Sequence, residues 1–223
     1  MGDYRAWLID LDGTLYRSRP VKLAMAAEVM FGGPLVWRVI REFRKQHEML
    51  RKNNAHSGGD QFARQIRQTA ASSGCSVETV QRVIQDWMFE RPGRWLKRFK
   101  REELLRQIQA FRANGGRTAL VSDYPALTKL HAMGIDKLFD VVIANGEPDG
   151  PENLKPAPDG YLRAAARLGV KPAESLVIGD RSDADGLAAQ AAGMDFCHVR
   201  DARLLNVEKW GAVQEVRSVA SVG

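Results

Sequence analysis

The hydrophobic pattern changes period twice along this chain of 223 residues. Ala6-Trp7-Leu8-Ile9 is a short unbroken apolar run, which reads as a strand buried on both faces. From Val21 the apolar positions recur at helical spacing, so Val21–Met30, Pro34–Asn53, Gln61–Ser72 and Val77–Phe89 each predict a helix. Leu35, Val39, Phe43 and Leu50 mark one such stripe, with Arg38, Arg41, Arg44 and Lys45 mostly around it. Gly32-Gly33-Pro34, the polar stretch Asn53–Asp60, Ser72–Ser76 and Arg91-Pro92-Gly93 separate these segments, and Pro34 stands where a first helical residue is favoured.

From Glu102 the two periods alternate. Helix Glu102–Asn114 precedes strand Thr118–Val121, and a helix runs from Pro125 to near Gly134. Strand Phe139–Ala144, helix Asp159–Leu168, strand Ser175–Ile178, helix Asp183–Ala192 and strand Phe196–Val199 follow, with a short edge strand expected at Ala212–Val216. Such alternation builds a parallel sheet through helical crossovers, and Gly169 and Gly193 supply the left-handed residue that closes a helix. The predicted fold class is therefore α/β, with a core formed by residues 1–16 and 100–223 and an all-helical domain, residues 17–99, inserted after the first strand.

Composition narrows the class further. The two cysteines, Cys75 and Cys197, are far apart and lack metal-ligand spacing, so neither a disulfide framework nor a zinc site is expected. No apolar run approaches the roughly 18 residues of a membrane span, and the N-terminus has no signal-peptide pattern. A soluble, cytoplasmic protein with no membrane partner is expected, as a monomer or homodimer. The net charge of +6 is uneven: residues 17–115 hold 20 Lys and Arg against 9 Asp and Glu, a balance of +11, leaving −5 on the remainder. Basic side chains on solvated helix faces, their stems covering apolar surface, account for this. A sharper reading is long-range steering of a multiply anionic substrate, such as a nucleotide or sugar phosphate.

The first strand ends in Asp10-Leu11-Asp12-Gly13-Thr14, and in open α/β sheets ligands gather beyond the carboxyl ends of the strands. Two carboxylates held this close repel, and a divalent cation would answer that repulsion. Three further signals fall where the sheet would bring them beside Asp10: Ser122 at the end of Thr118–Val121, Lys155 in Asn153-Leu154-Lys155-Pro156-Ala157-Pro158, and Gly179-Asp180 followed by Asp183 and Asp185. Together they supply a nucleophile, an acid, a hydroxyl donor, a fixed cation and oxygen ligands, the parts of metal-assisted phosphoryl transfer.

Quoted in order, these four motifs resemble those of the haloacid dehalogenase superfamily, in its phosphatase branch with a helical cap of the C1 type, and the resemblance spans essentially the whole chain. It implies a Rossmann-like core and an Mg²⁺-dependent phosphatase acting on a small-molecule phosphate monoester, of the phosphoglycolate, nucleotide or sugar phosphatase kind. Asp10 is then the nucleophile that becomes an aspartyl phosphate, and Asp12 the acid and base. Thr14 and Ser122 donate to phosphoryl oxygens, and Lys155 offsets the crowded charge and contacts the phosphate. Mg²⁺ is implied on the carboxylates of Asp10 and Asp180 and the backbone carbonyl of Asp12. The resemblance also places Asp185, with Asp183 as the alternative, one shell further out on metal-bound water. An aspartate at position 12 separates the chain from the dehalogenase and phosphonatase branches, which lack it, and from the transport ATPases, which carry threonine there.

Plainer readings accompany these. Ser122-Asp123 before Tyr124-Pro125 can cap a helix, as Asp183 can. Glu147, Asp149 and Glu152 read as solvated loop acids, with a supplementary role near the metal as the alternative. His47, His56, His131 and His198 have no ligand or triad spacing. The aromatics Phe31, Trp37, Phe43, Phe62, Trp87, Phe89, Trp95 and Phe99 read mostly as the core of the helical segment, while Tyr16, Arg17 and Arg19 are candidates to face substrate. A phosphomutase, returning the phosphoryl group to its substrate, is the alternative activity. A non-enzymatic nucleic-acid scaffold is disfavoured by the intact carboxylates and the absence of a recognised nucleic-acid module, so no nucleic-acid partner is expected.

Overall fold

The computed structural model describes residues 4–52 and 59–202. Five parallel strands form one sheet: β1 (Ala6–Ile9), β2 (Arg117–Ser122), β3 (Val141–Ala144), β4 (Ser175–Gly179) and β5 (Asp195–His198), in the order β3-β2-β1-β4-β5. β1 is central, with Leu8 paired to Ala119 on one side and Val177 on the other. The chain thus leaves β1 toward one edge and later returns to its other flank, making the carboxyl end of β1 the topological switch point where an α/β sheet opens a ligand crevice.

Alternation along β1 sends its side chains into two different cores. Trp7 and Ile9 join Leu104, Ile108, Phe111, Leu130 and Met133 on one face. Ala6 and Leu8 join Tyr161, Ala164, Leu168, Ala188 and Ala192 on the other. The helices supplying these residues are α6 (Glu102–Ala113) and α7 (Leu127–Met133) for the first face, and α8 (Asp159–Leu168) and α9 (Leu187–Ala192) for the second. This double covering explains why β1 reads as an unbroken apolar run.

Between β1 and α6 the regular elements of the described residues are all helical: α1 (Ser18–Phe31), α2 (Gly33–Lys52), α3 (Gln61–Ser73), α4 (Val77–Ile84) and α5 (Gly93–Arg98), with one π turn between the last two. Val39, Phe43, Ile66, Val80, Ile84 and Phe89 form an apolar cluster of their own within this segment. An isolated antiparallel bridge between Tyr16 and Lys100 brings its two ends together.

Several boundaries depart from the periodicity. The expected helix Val77–Phe89 splits, because a π turn, Gln85–Glu90, follows α4. Arg91 N donates to Asp86 O, and its guanidinium meets the Asp86 carboxylate at 2.9 Å while lying over Trp87. The helix expected from Asp183 likewise opens with a wide turn, Ser182–Gly186, before α9. α5 follows Arg91-Pro92-Gly93 where only a break is apparent in the sequence, and β3 starts at Val141 rather than Phe139. α7 starts at Leu127 rather than Pro125, since Glu147 Oε1 accepts from the Ala126 and Leu127 amides at 3.2 Å each. Glu147 is therefore a helix-end partner and not a solvated loop acid. Phe31 and Trp37 are exposed, against their assignment to the helical core. The edge strand expected at Ala212–Val216, and His56, lie outside the described residues.

Candidate active site

The carboxyl ends of β1, β2 and β4 meet around Lys155. Asp10 follows β1 directly, and its amide donates to Ile178 O of β4 at 2.9 Å. Lys155 Nζ reaches Asp10 Oδ1 at 2.6 Å, Asp185 Oδ1 at 2.8 Å and the Val121 carbonyl at 2.9 Å. Thr14 Oγ1 donates to Asp10 Oδ2 at 2.9 Å. Asp10, Thr14, Lys155 and Asp185 are all buried. Asp10, Asp180 and Asp185 each present a carboxylate oxygen within 4.8 Å of the others.

Two glycines make this convergence sterically possible. Gly13 sits at φ +103°, and a Cβ there would lie 2.0 Å from Asp180 Oδ2. A Cβ on Gly179 would lie 2.4 Å from Asp185 Cγ. The wide turn after β4 brings the Asp185 carboxylate back beneath the strand end, where Oδ2 accepts from the Arg181 amide at 3.2 Å and Oδ1 from the Tyr161 hydroxyl at 2.8 Å.

Electrostatics divides the carboxylates into two groups. Burial, reinforced by Asp185 and Asp180, pushes Asp10 well above the usual carboxylate range although the Lys155 ammonium opposes it. Burial and Asp185 raise Asp180 likewise. Burial also works against the Lys155 ammonium, but Asp10 and Asp185 outweigh it and hold the proton firmly. One ammonium thus faces three crowded carboxylates, leaving a deficit of positive charge among oxygen donors only, which suits a hard divalent cation. Asp12 lies apart from this group. Burial would raise its carboxyl too, but Lys129 Nζ at 2.7 and 2.8 Å from Oδ1 and Oδ2, with a hydrogen bond from the Tyr16 hydroxyl to Oδ1, holds it below the usual range.

The remaining candidates divide in the same way. Ser122 is buried at the end of β2, and its Oγ accepts from the Tyr124 amide at 3.2 Å, so the hydroxyl closes a turn rather than α7. Asp183 is two-thirds exposed and paired with Arg181 at 2.6 Å, outside the carboxylate cluster that Asp185 joins. Asp149 pairs with Arg167, and Glu152 with Arg163. Arg17 and Arg19 are exposed, whereas Tyr16 is buried against Asp12. His47 is buried and stacked on Tyr124 with ring centroids 4.2 Å apart, and His198 Nε2 lies 3.0 Å from the Asp180 carbonyl.

Four contributors escape the motif reading. Lys129 lies on the buried face of α7 with Leu130 and Met133, and a lysine on an apolar helical stripe is a detectable anomaly. Tyr161 in the first turn of α8 hydrogen-bonds Asp185. Asp123 Oδ1 accepts from the Lys155 amide at 3.1 Å, and Arg51 of α2 donates to the Lys155 carbonyl at 3.0 Å. No local pattern marks the last two, since their partner is more than 30 residues away in each case.

A parallel sheet with a buried carboxylate and lysine at its switch point, and further acids from the next strand, places a polar site where α/β proteins bind their ligands. Residues 4–193 match the model of the haloacid dehalogenase-like hydrolase family, and the chain belongs to that family. Among curated relatives it is 40% identical over 80 residues to a glyceraldehyde 3-phosphate phosphatase of Methanopyrus kandleri, covering 36% of this chain and 33% of that protein. It is 43% identical over 68 residues to the fructose-1-phosphate phosphatase YqaB of Escherichia coli, covering 30% and 34%. With the Escherichia coli phosphoglycolate phosphatase the match is 40% over 89 residues, 39% and 34%. Each match thus spans about a third of the relative's length. Among solved structures, a HAD phosphatase from Thermococcus onnurineus shares the fold with a TM-score of 0.56 at 20% identity, covering 86% of this chain and 84% of that one. An L-2-haloacid dehalogenase from Xanthobacter autotrophicus does so with a TM-score of 0.60 at 20% identity, covering 86% and 76%.

Proposed function

We propose that this protein is an Mg²⁺-dependent phosphatase that hydrolyses a small-molecule phosphate monoester through an aspartyl phosphate on Asp10. The observation that carries the reading is the opposite treatment of two carboxylates only two residues apart. Asp10 is enclosed with Lys155, Thr14, Asp180 and Asp185, whereas Asp12 is held by Lys129 and Tyr16. Neighbouring acids in such different environments are suited to different roles in one reaction.

A carboxylate oxygen of Asp10 attacks phosphorus as the ester P–O bond breaks, and the departing oxygen takes a proton from Asp12. Asp12 then takes a proton from water, whose oxygen attacks the acyl phosphate and releases inorganic phosphate and free Asp10. Lys155 holds Asp10 in place and offsets the charge that accumulates as the phosphoryl group arrives, and Thr14 and Ser122 supply hydroxyl donors. The carboxylates of Asp10 and Asp180 and the backbone carbonyl of Asp12 would hold the cation, with Asp185 behind them. When bound, it neutralises charge on the phosphoryl oxygens and favours ionised Asp10. Residues 1–16 and 100–223 form the catalytic core in this reading. Residues 17–99 form the cap, which excludes water and selects the substrate.

Phosphate release from a panel of phosphate monoesters, with and without Mg²⁺, tests the proposal. Turnover should require the cation and vanish in Asp10→Asn. Phosphate release by Asp10→Asn at more than about a hundredth of the wild-type rate would remove the nucleophile assignment, since losing a covalent nucleophile costs far more than that. An isomerised ester without free phosphate would show a mutase instead.

A further inference from the structure

Lys129 is the second buried ammonium at the carboxyl end of the sheet, and none of the four motifs contains it. It projects from α7 and meets Asp12 with both carboxylate oxygens in range, 2.7 Å to Oδ1 and 2.8 Å to Oδ2. Its ammonium lies 5.7 Å from the ring centroids of both Phe89 and Tyr124. A lysine in such a seat is not required for packing, because methionine would fill the same volume without the desolvation cost of a charge.

The two oxygens of Asp12 are not equivalent. A carboxylate oxygen has two acceptor positions. Oδ1 accepts from both the Tyr16 hydroxyl and Lys129, whereas among the described residues Oδ2 accepts from Lys129 alone. Rotation of the carboxylate about its Cβ–Cγ bond would break the paired contact, so its plane is fixed.

We propose that Lys129 is a positioning residue for Asp12: with Tyr16 it pins Oδ1 and leaves Oδ2 as the oxygen that gives a proton to the leaving group and then takes one from water. This rests on Asp12 being the acid and base of the reaction above. Oδ2 takes a proton from the water that hydrolyses the acyl phosphate and passes it to the departing ester oxygen of the next turnover. Phe89 comes from the helical segment between β1 and β2, and Tyr124 and Lys129 from the sheet side, so the seat of this ammonium also joins the two parts of the molecule.

Leaving-group dependence separates this role from a structural one. p-Nitrophenyl phosphate releases a stable phenolate that hardly needs a proton, whereas ethyl phosphate releases an alkoxide that does. With the full-length chain and saturating Mg²⁺, Lys129→Met should lower kcat/KM, which reports the steps through departure of the leaving group, about 100-fold on ethyl phosphate, the cost of misplacing a reacting group by an ångström, but only about threefold on p-nitrophenyl phosphate. Lys129→Arg, which can meet both oxygens, should restore most of the ethyl phosphate rate. Tyr16→Phe should show a smaller selective loss. In an Asp12→Asn background, Lys129→Met should add less than about twofold, because groups acting through one another are not additive.

Equal losses on both esters in Lys129→Met would overturn the proposal and make the lysine structural. So would a fully additive loss in the double variant, which would mean that Lys129 meets the leaving group itself. If Lys129→Met does not fold, the Arg and Phe variants carry the same comparison, and unchanged ester selectivity in Tyr16→Phe with no recovery in Lys129→Arg refutes it. An Asp12→Asn variant that fails to distinguish the two esters would refute the acid-base assignment, and a selective Asp12→Asn with a non-selective Lys129→Met refutes the Lys129 role alone.

Discussion

Replacing Gly13 with alanine isolates the steric condition on which the carboxylate cluster depends. The alanine Cβ would lie 2.0 Å from Asp180 Oδ2 and 2.7 Å from its Cγ, so the carboxylate must retreat by roughly an ångström or more to reach ordinary contact distance. The backbone at φ +103° adds strain of about 1–3 kcal/mol for any residue with a Cβ. Displacing a group in the reacting constellation by about 1 Å costs on the order of 100-fold, equivalent to about 2.7 kcal/mol of barrier. Gly13→Ala should therefore lose about 100-fold in kcat/KM on p-nitrophenyl phosphate, with a raised Mg²⁺ requirement, and about 1–3 kcal/mol in urea denaturation. Gly115→Ala is the control, because Gly115 also has positive φ, at +84°, but nothing lies within 4 Å of its would-be Cβ. It should lose stability and keep activity. Equal activity losses in the two variants, or a Gly13→Ala enzyme within threefold of wild type, would refute the steric argument.

Asp185→Asn should lower activity about 10- to 100-fold, as for other disrupted metal-site partners, and Asp183→Asn should change it less than about twofold. Steady-state assays across Mg²⁺ concentrations check both, and a larger effect at Asp183 would reverse the placement. Lys155→Met leaves Asp10 and Asp185 buried without their cation, a change worth roughly 3–5 kcal/mol. Urea titrations should show that loss shrinking as pH falls, since protonation relieves the unpaired carboxylates; a loss independent of pH would contradict it. Burial holds His47 below its ordinary value of 6.5, with Arg51 adding to the effect. The unfolded chain therefore binds the proton more readily, so stability falls as pH drops from about 6.5 toward the depressed value. His47→Phe should flatten that part of the stability profile in thermal melts at closely spaced pH values, and an unchanged slope would exclude His47 as its source.

The sheet was legible because each of its strands combines an apolar run with a polar terminus, and because helical stripes of period 3.6 separate them. Boundaries were less legible where distant residues decide them. Glu147 sets the start of α7 from twenty residues away, and a π turn closed by the Arg91–Asp86 contact interrupts what reads as continuous helix. The exposure of Phe31 and Trp37 could not be read from spacing, because periodicity marks an apolar face without saying what packs against it.

For the candidate site, the sequence by itself determined the chemical inventory: Asp10, Asp12, Thr14, Ser122 and Asp180 stand at or just past strand ends and Lys155 in the loop before α8, positions that a parallel sheet brings to one edge. Tertiary structure decided their partners. It set Asp185 rather than Asp183 beside Lys155, because the wide turn after β4 carries one acid inward and the other into solvent. It also gave Asp12 a buried lysine that lies 117 positions along the chain. Local pattern reports a residue's side of a helix or its place at a strand end, whereas the field at a carboxylate is set by whichever charges the fold brings within a few ångströms, and those come from anywhere in the chain.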